Sequence, residues 1–263
     1  MSGLRVYVEG VGVWSPQLAD FPALRRVLAG AAPAPAAARP GAALLPATER
    51  RRAPPVVLLT VEVAQQAAAM SGRDVAALPC VFASTHGDQA TTDYMCATLA
   101  RNPLELSPTR FHNSVHNAAV GYWTIAVGCH AASSAVAAQR ASFGAGLLEA
   151  AGQALGDGQA VLFACADTVG SGPLGEVTGC SETFGSALVL APERTAHTLA
   201  RLDLELTPAR HDTALAEPLA AWRAHNPSAA ALALLALLAQ GAGSCHLAAA
   251  ATLGLRIELE SPA

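Results

Sequence analysis

Apolar and polar positions along this chain change period many times, and each change marks an expected element. Leu4–Trp14 (LRVYVEGVGVW) alternates, which predicts a strand, with Gly10 and Gly12 allowing a close bend before Pro16. Phe21–Leu28 reads as a short helix, and 31–46 as an Ala/Pro/Gly loop with no periodic face. The pattern over 55–70 is helical and stops at Ser71-Gly72; 79–84 (PCVFAS) is short, apolar and bounded, so a buried strand. A helix is expected over 91–99, with Asp88 or Thr91 near its cap, followed by a polar stretch at 107–117 and a helix at Ala118–Val127 packing inward. Small residues at 133–138 suggest a buried strand, and 142–155 a helix with Ser142 as N-cap. Strands are expected at 159–166, 185–190 and 199–206. Residues 217–240 read as mostly helix broken at Asn226-Pro227, and 246–259 as one or two strands. Alternating strands and helices predict an α/β fold on a buried, largely mixed sheet, with no repeat or linker dividing residues 1–263.

Composition narrows the function classes. Hydrophobic residues are 52% and charged residues 14%, which calls for a large core, a large interface, or both. The formal net charge is −4, and the one basic run, Arg50-Arg51-Arg52, reads as a solvated loop, so a nucleic-acid role is not expected. The opening residues lack a signal-peptide pattern, and the longest apolar run, 229–239, is too short to span a bilayer. Six cysteines without CxxC spacing point to a reduced, cytoplasmic protein.

LRVYVEGVGVWSP resembles the first strand and turn of the β-ketoacyl synthases. PCVFASTHGD, SPTRFHNSVHNAAVGYW, QAVLFACAD and GSALVLAPER are similar to later segments of that family in the right order. HGDQATTDYM and SFGAGLLEA extend the resemblance to short, chain-length-factor-like members, several of them associated with aryl-polyene and xanthomonadin-type pigment pathways. The resemblance implies a thiolase-like fold layered α-β-α-β-α, well matched over residues 1–194 and shortened over 195–263. It also implies pairing with an active β-ketoacyl synthase, work alongside an acyl carrier protein, and no cofactor. It places Phe111, His112, His116 and His130 near the acyl tunnel, and Ser133, Ser134 and Val136 in an interface strand.

A ketosynthase needs a thiolate at a helix N-terminus, where the helix dipole favours the anion. Counted from Gly121, the family's nucleophile position falls on Arg140; counted back from QAVLFACAD, it falls on Gln139. Neither is a cysteine, and glutamine is what the aromatic-polyketide chain-length factors carry. Cys129 lies about one helix-length too early, beside Ala131-Ala132-Ser133 where the family has Gly-Pro-Ser. The histidines after residue 194 (His197, His211, His225 and His246) lack the glycine-rich surroundings of the family's catalytic pair.

Three readings follow. The chain is a non-condensing partner subunit of a ketosynthase; or a small acyltransferase using Cys129 with His112, His116 or His130; or an acyl-chain or acyl-carrier binding module. His112 and His116, four apart, would share a helical face as zinc ligands do, but no acid follows as in HExxH and no metal site is expected. Gly170–Gly175 is a glycine-rich loop without a phosphate-binding ending, and Asp167, Asp203 and Glu205 form no acid/base pair legible from spacing.

Overall fold

The structure, a computed structural model, describes residues 3–208 and 212–262; His211 lies outside them. In chain order the elements are β1 (Leu4–Trp14), α1 (Phe21–Leu28), α2 (Ala47–Arg52), α3 (Pro55–Ser71), β2 (Cys80–Ala83), α4 (Gln89–Arg101), α5 (Pro108–His112), α6 (Ala118–Val127) and β3 (Ser133–Val136). There follow α7 (Ser142–Asp157), β4 (Val161–Asp167), α8 (Gly172–Thr178), β5 (Phe184–Ala191), β6 (Ala200–Thr207), α9 (Leu219–Ala224), α10 (Leu232–Gln240), β7 (Ala242–Ala248) and β8 (Gly254–Glu260). Short 3-10 turns at Pro103–Glu105 and Pro227–Ala231 complete the path.

All eight strands join one sheet in the order β3-β2-β4-β5-β1-β6-β8-β7. β2 runs parallel to β3 and β4, and the other neighbours are antiparallel. The α/β, thiolase-like fold expected of the chain is the one observed, with its strands in a single sheet rather than the two sheet layers of an α-β-α-β-α stack. Residues after 194 supply β6, β8 and β7 to the same sheet.

Side-chain alternation along the strands builds a core on each face. On β4, Val161, Phe163 and Cys165 face the core under α7 and the 3-10 turn before α10, while Leu162, Ala164 and Ala166 face the core under α3. Because β4 is covered on both sides it reads as a continuous apolar run, VLFACAD, with every residue buried.

Gly10 and Gly12 do not bend β1, as the sequence suggested; the strand runs through to Trp14. Their role is close approach. A Cβ on Gly10 would lie 2.0 Å from the Ala67 carbonyl oxygen, and one on Gly12 2.0 Å from that of Val63, so α3 lies directly on the strand backbone.

Other differences concern short or polar segments. Arg50, Arg51 and Arg52 sit in α2 rather than a loop, Gly172 and Gly175 lie within α8, and α5 forms inside the polar stretch. The break at Asn226-Pro227 and the final strand pair are where the pattern put them. β3 is not buried; it is an edge strand with Ser133 and Ala135 exposed.

The face of β1, β6 and β8 turned away from α10 carries charge. Arg5 pairs with Asp203 (2.7 Å), Arg201 with Asp203 and Glu260 (both 2.9 Å), and Arg256 with Glu205 (3.5 Å) and Glu258. This cross-strand lattice suits a face kept in water.

A separate ion pair is buried. Glu9 sits at a β1 bulge, its side chain fully out of solvent, and the Arg73 guanidinium donates to both its oxygens at 2.7 and 3.0 Å. Thr195 Oγ1 donates to the same carboxylate. Burial alone would raise the Glu9 pKa, but the bonds from Arg73 and Thr195, with the charge of Arg73, outweigh it and hold the carboxyl below its ordinary value.

A depressed carboxyl stabilises the fold above the ordinary carboxylate pKa, and that stability is lost as pH falls through the lowered folded-state value. Arg73→Met should cost about 2–3 kcal/mol near neutral pH, the low end for a broken buried pair because Arg73 is partly exposed. It should also flatten the fall in stability on acidification. Urea unfolding from pH 7 to acid checks both; an unchanged acid slope would mean Glu9 is not a main contributor.

Candidate functional site

The chemistry-bearing residues gather at one end of the sheet, where β2 and β4 end and the chain passes from β3 into α7. β3 ends at Val136 and α7 begins at Ser142, so the direction reverses within five residues. Gln139 takes the strain of that turn with φ +51°, a left-handed conformation that costs a non-glycine residue about 1–2 kcal/mol.

The turn is closed by hydrogen bonds. Ser142 Oγ donates to the Gln139 carbonyl oxygen (2.6 Å) and accepts from Ala138 N (3.0 Å). Thr85 Oγ1 also donates to that carbonyl (3.1 Å). Ser142 is thus the first residue of α7 rather than its N-cap, which is Ala141. Its hydroxyl is committed to the turn.

α7 sits deep because its first turn is small. A Cβ on Gly144 would meet the Ala248 carbonyl oxygen at 2.2 Å, and one on Gly146 would meet the Phe163 ring at 2.6 Å. Of the two residues that the sequence left open, Gln139 is the one at the strained apex, and Arg140 follows it. Both side chains are exposed.

Beneath the turn lies a buried carboxylate that spacing did not single out. Asp167, the last residue of β4, is wholly buried. Its Oδ1 accepts from Ser84 Oγ (2.8 Å), Thr85 N (2.9 Å) and His86 N (3.1 Å), and its Oδ2 from Ser228 Oγ (2.5 Å). Asn226 Nδ2 donates to the Asp167 and Glu182 carbonyl oxygens, both at 2.8 Å. Segments about 80 and 60 residues away in sequence meet on this group, so only their encounter in the fold reveals it.

Cys129 follows Gly128, the left-handed C-cap of α6. It stands at the carbonyl end of a helix rather than at an N-terminus. The thiol is buried and points to the Leu78 carbonyl oxygen (3.3 Å). Cys129 lies in the core beside Cys80, whose own thiol is pushed up to about 12 by burial and by Cys129.

The structure separates the histidines proposed for the tunnel. His112 closes α5 and lines an open, largely apolar cleft of about 650 Å³ between α2, α5 and α6, with Leu45, Tyr122, Ile125 and Ala126 among its walls. Phe111 is next to it on α5 and 58% exposed. His116 lies past the end of α5, so it shares no helical face with His112; its Nε2 meets the Ser84 carbonyl oxygen at 3.0 Å. His130 is exposed beyond α6. Among the described residues no group of three metal-ligating side chains forms. On β3, Ser134 Oγ accepts from Gln153 Nε2 (3.1 Å), while Ser133 is exposed and Val136 partly so.

The site is thus a strained strand-to-helix turn on a mixed-sheet α/β core, followed by a deeply seated helix. The chain matches the β-ketoacyl synthase N-terminal domain family over residues 28–252 and belongs to that family. Among solved structures it is similar to the ketosynthase (ApeO) in complex with its chain length factor (ApeC) from Xenorhabdus doucetiae. Identity is 22%, the TM-score is 0.73, and the match covers 97% of this chain and 99% of that one. It is also similar to the AntDE:AntF complex of a type II polyketide-synthase acyl-carrier protein with its ketosynthase (17% identity, TM-score 0.62, 79% of this chain and 70% of that one). A third likeness is to the ishigamide ketosynthase/chain length factor (16%, 0.60, 78% and 67%). At these identities the likeness shows the fold. Curated protein sequences give no match.

Replacing Gln139 by glycine should stabilise the chain by about 0.5–1 kcal/mol, the relief of the left-handed backbone less the added flexibility of the unfolded chain. Thermal and urea unfolding check this. A clear loss of stability instead would show that the glutamine side chain, not only its backbone, is held in place.

Proposed function

We propose that the chain is a non-condensing β-ketoacyl-synthase-like subunit, a chain length factor. It pairs with an active ketosynthase in a fatty-acid or polyketide type of polyene synthesis. The observation that carries this reading is Gln139 at the apex before α7. That is the turn where the resemblance sets the condensing thiolate, and an amide cannot form a thioester. Cys129, buried at the wrong end of α6, offers no replacement.

Pairing is supported by surface features on one side of the chain. Among the described residues β3 leaves a sheet edge open, and such edges invite a second strand. α6 lies against β3 and presents Ile125, 83% exposed, while Val115, on the same cleft, and Phe111 of α5 are also bare. Apolar groups this exposed and this close together mark an interface rather than a solvated surface. The matched chain of the Xenorhabdus doucetiae complex is covered almost end to end, so it too is a short member of the fold, and its complex joins a ketosynthase to a chain length factor.

In this reading the apolar cleft beside α6, with Phe111 and His112 at its rim, forms part of the wall limiting the growing acyl chain, and the partner's acyl carrier protein delivers that chain. The pigment-type pathway and cytoplasmic location suggested by the sequence belong to the same proposal. No described helix is long and apolar enough to cross a membrane.

Co-expression of the tagged chain with the ketosynthase of its own biosynthetic set, followed by native mass spectrometry, tests the pairing. A one-to-one heterodimer is expected. It should be lost in Ala135→Pro, which removes an outward N–H from the β3 edge. A chain that stays alone at every ratio tried, with the ketosynthase itself folded, would refute the subunit reading.

A further inference from the structure

The sheet has two edges, and they are finished in different ways. At the β7 edge the chain doubles back on itself. Thr213 N donates to the His246 carbonyl oxygen (2.9 Å), and Thr213 Oγ1 accepts from His246 N (2.8 Å). Asp212 Oδ1 accepts from Ala248 N (2.8 Å). The backbone groups that a further strand would use at His246 and Ala248 are therefore occupied, two of the three bonds being made by side chains. Arg223 of α9 donates to the Thr213 carbonyl oxygen (2.5 Å) and pins the strap in place. Nearer the start of the strand, Gly243 has φ +135°, which breaks the regular edge, and Ser261 Oγ donates to the Gly241 carbonyl oxygen (2.6 Å).

The β3 edge has no such cover among the described residues. Cys80 N donates to the Ala132 carbonyl and Ser84 N to that of Val136. In a parallel pair this turns the even-numbered groups of β3 toward β2 and leaves Ser133 and Ala135 facing outward. Both residues are small and exposed.

We propose that Asp212 and Thr213 are an edge guard. They close the β7 side of the sheet, so that strand-to-strand assembly of this chain runs through β3 alone and stops at a pair. A sheet open at both ends would add subunits without limit, because each added chain would present a new free edge. Closure by a folded-back strap, rather than by charge on the strand itself, fits the sequence of β7: Ala242, Gly243 and Ser244 carry none of the charged side chains that usually blunt an edge. The inference concerns the chain by itself, so it stands or falls apart from whether a ketosynthase pairs at β3.

The test uses the whole chain, purified without a partner. Sedimentation equilibrium over a range of concentrations compares wild type with Asp212→Ala/Thr213→Val. The double variant should gain mass with concentration by at least one protomer beyond wild type. Adding Ser244→Pro, which removes an outward N–H from β7, should return it to the wild-type mass. A double variant with wild-type circular dichroism and wild-type mass at every concentration would overturn the proposal. Amide hydrogen exchange on the wild type decides independently if the variant fails to fold. His246 and Ala248 should be protected, and fast exchange at His246 and Ala248 would equally overturn it.

Discussion

A single buried carboxylate ties together the functional end of this molecule. Asp167 gathers the Ser84 hydroxyl, the Thr85 and His86 amides and the Ser228 hydroxyl into one shell. A carboxylate kept from water is stable only when its oxygens are filled with donors, so these segments are held together or the charge is stranded. The shell fixes the end of β2 and brings the segment before α10 against the end of β4. Through Thr85, which reaches the Gln139 carbonyl, it also sets the height of the turn into α7. Asn226 secures the far side by donating to the Asp167 and Glu182 carbonyls. The position of Gln139 is therefore a consequence of packing at the sheet end.

The turn into α7 is held by shape as well as by hydrogen bonds. The strained backbone at Gln139, the small residues Gly144 and Gly146, and the two glycines that let α3 lie on β1 all keep helices close to the sheet. Close layers leave the outer surface to be decided by what covers it. The β6–β8 face is laced with ion pairs and suits water. The side bearing β3, α5 and α6 has an open edge and bare Phe111, Val115 and Ile125, and suits protein. Ordering by surface chemistry is the physical content of the partner-subunit reading.

Much of the core was legible in the sequence because its periodicity survives in single segments. VLFACAD reads as a strand buried on both faces, and Asn226-Pro227 marks the break before α10. What the sequence concealed depended on contacts across long separations. Gly10 and Gly12 looked like a bend, because nothing local says that α3 will lie on them. β3 looked buried because alanine and serine suit a crowded core as well as a sheet edge. Asp167 looked solitary because its partners lie far away in sequence. Gln139 and Arg140 could not be separated by counting, since a one-residue ambiguity remained between two anchors, and counting could not foresee that Gln139 takes the positive φ of the turn. His112 and His116 looked like a helical pair, and the end of α5 between them removes that relation.

The most direct measurement is to find where an acyl group lands. The purified heterodimer is incubated with an acyl thioester, and each chain is then analysed by intact mass and peptide mapping. The account predicts an acyl adduct on the partner's cysteine and none on this chain. An adduct on Cys129, or on any other side chain of this protein formed at a comparable rate, would contradict it.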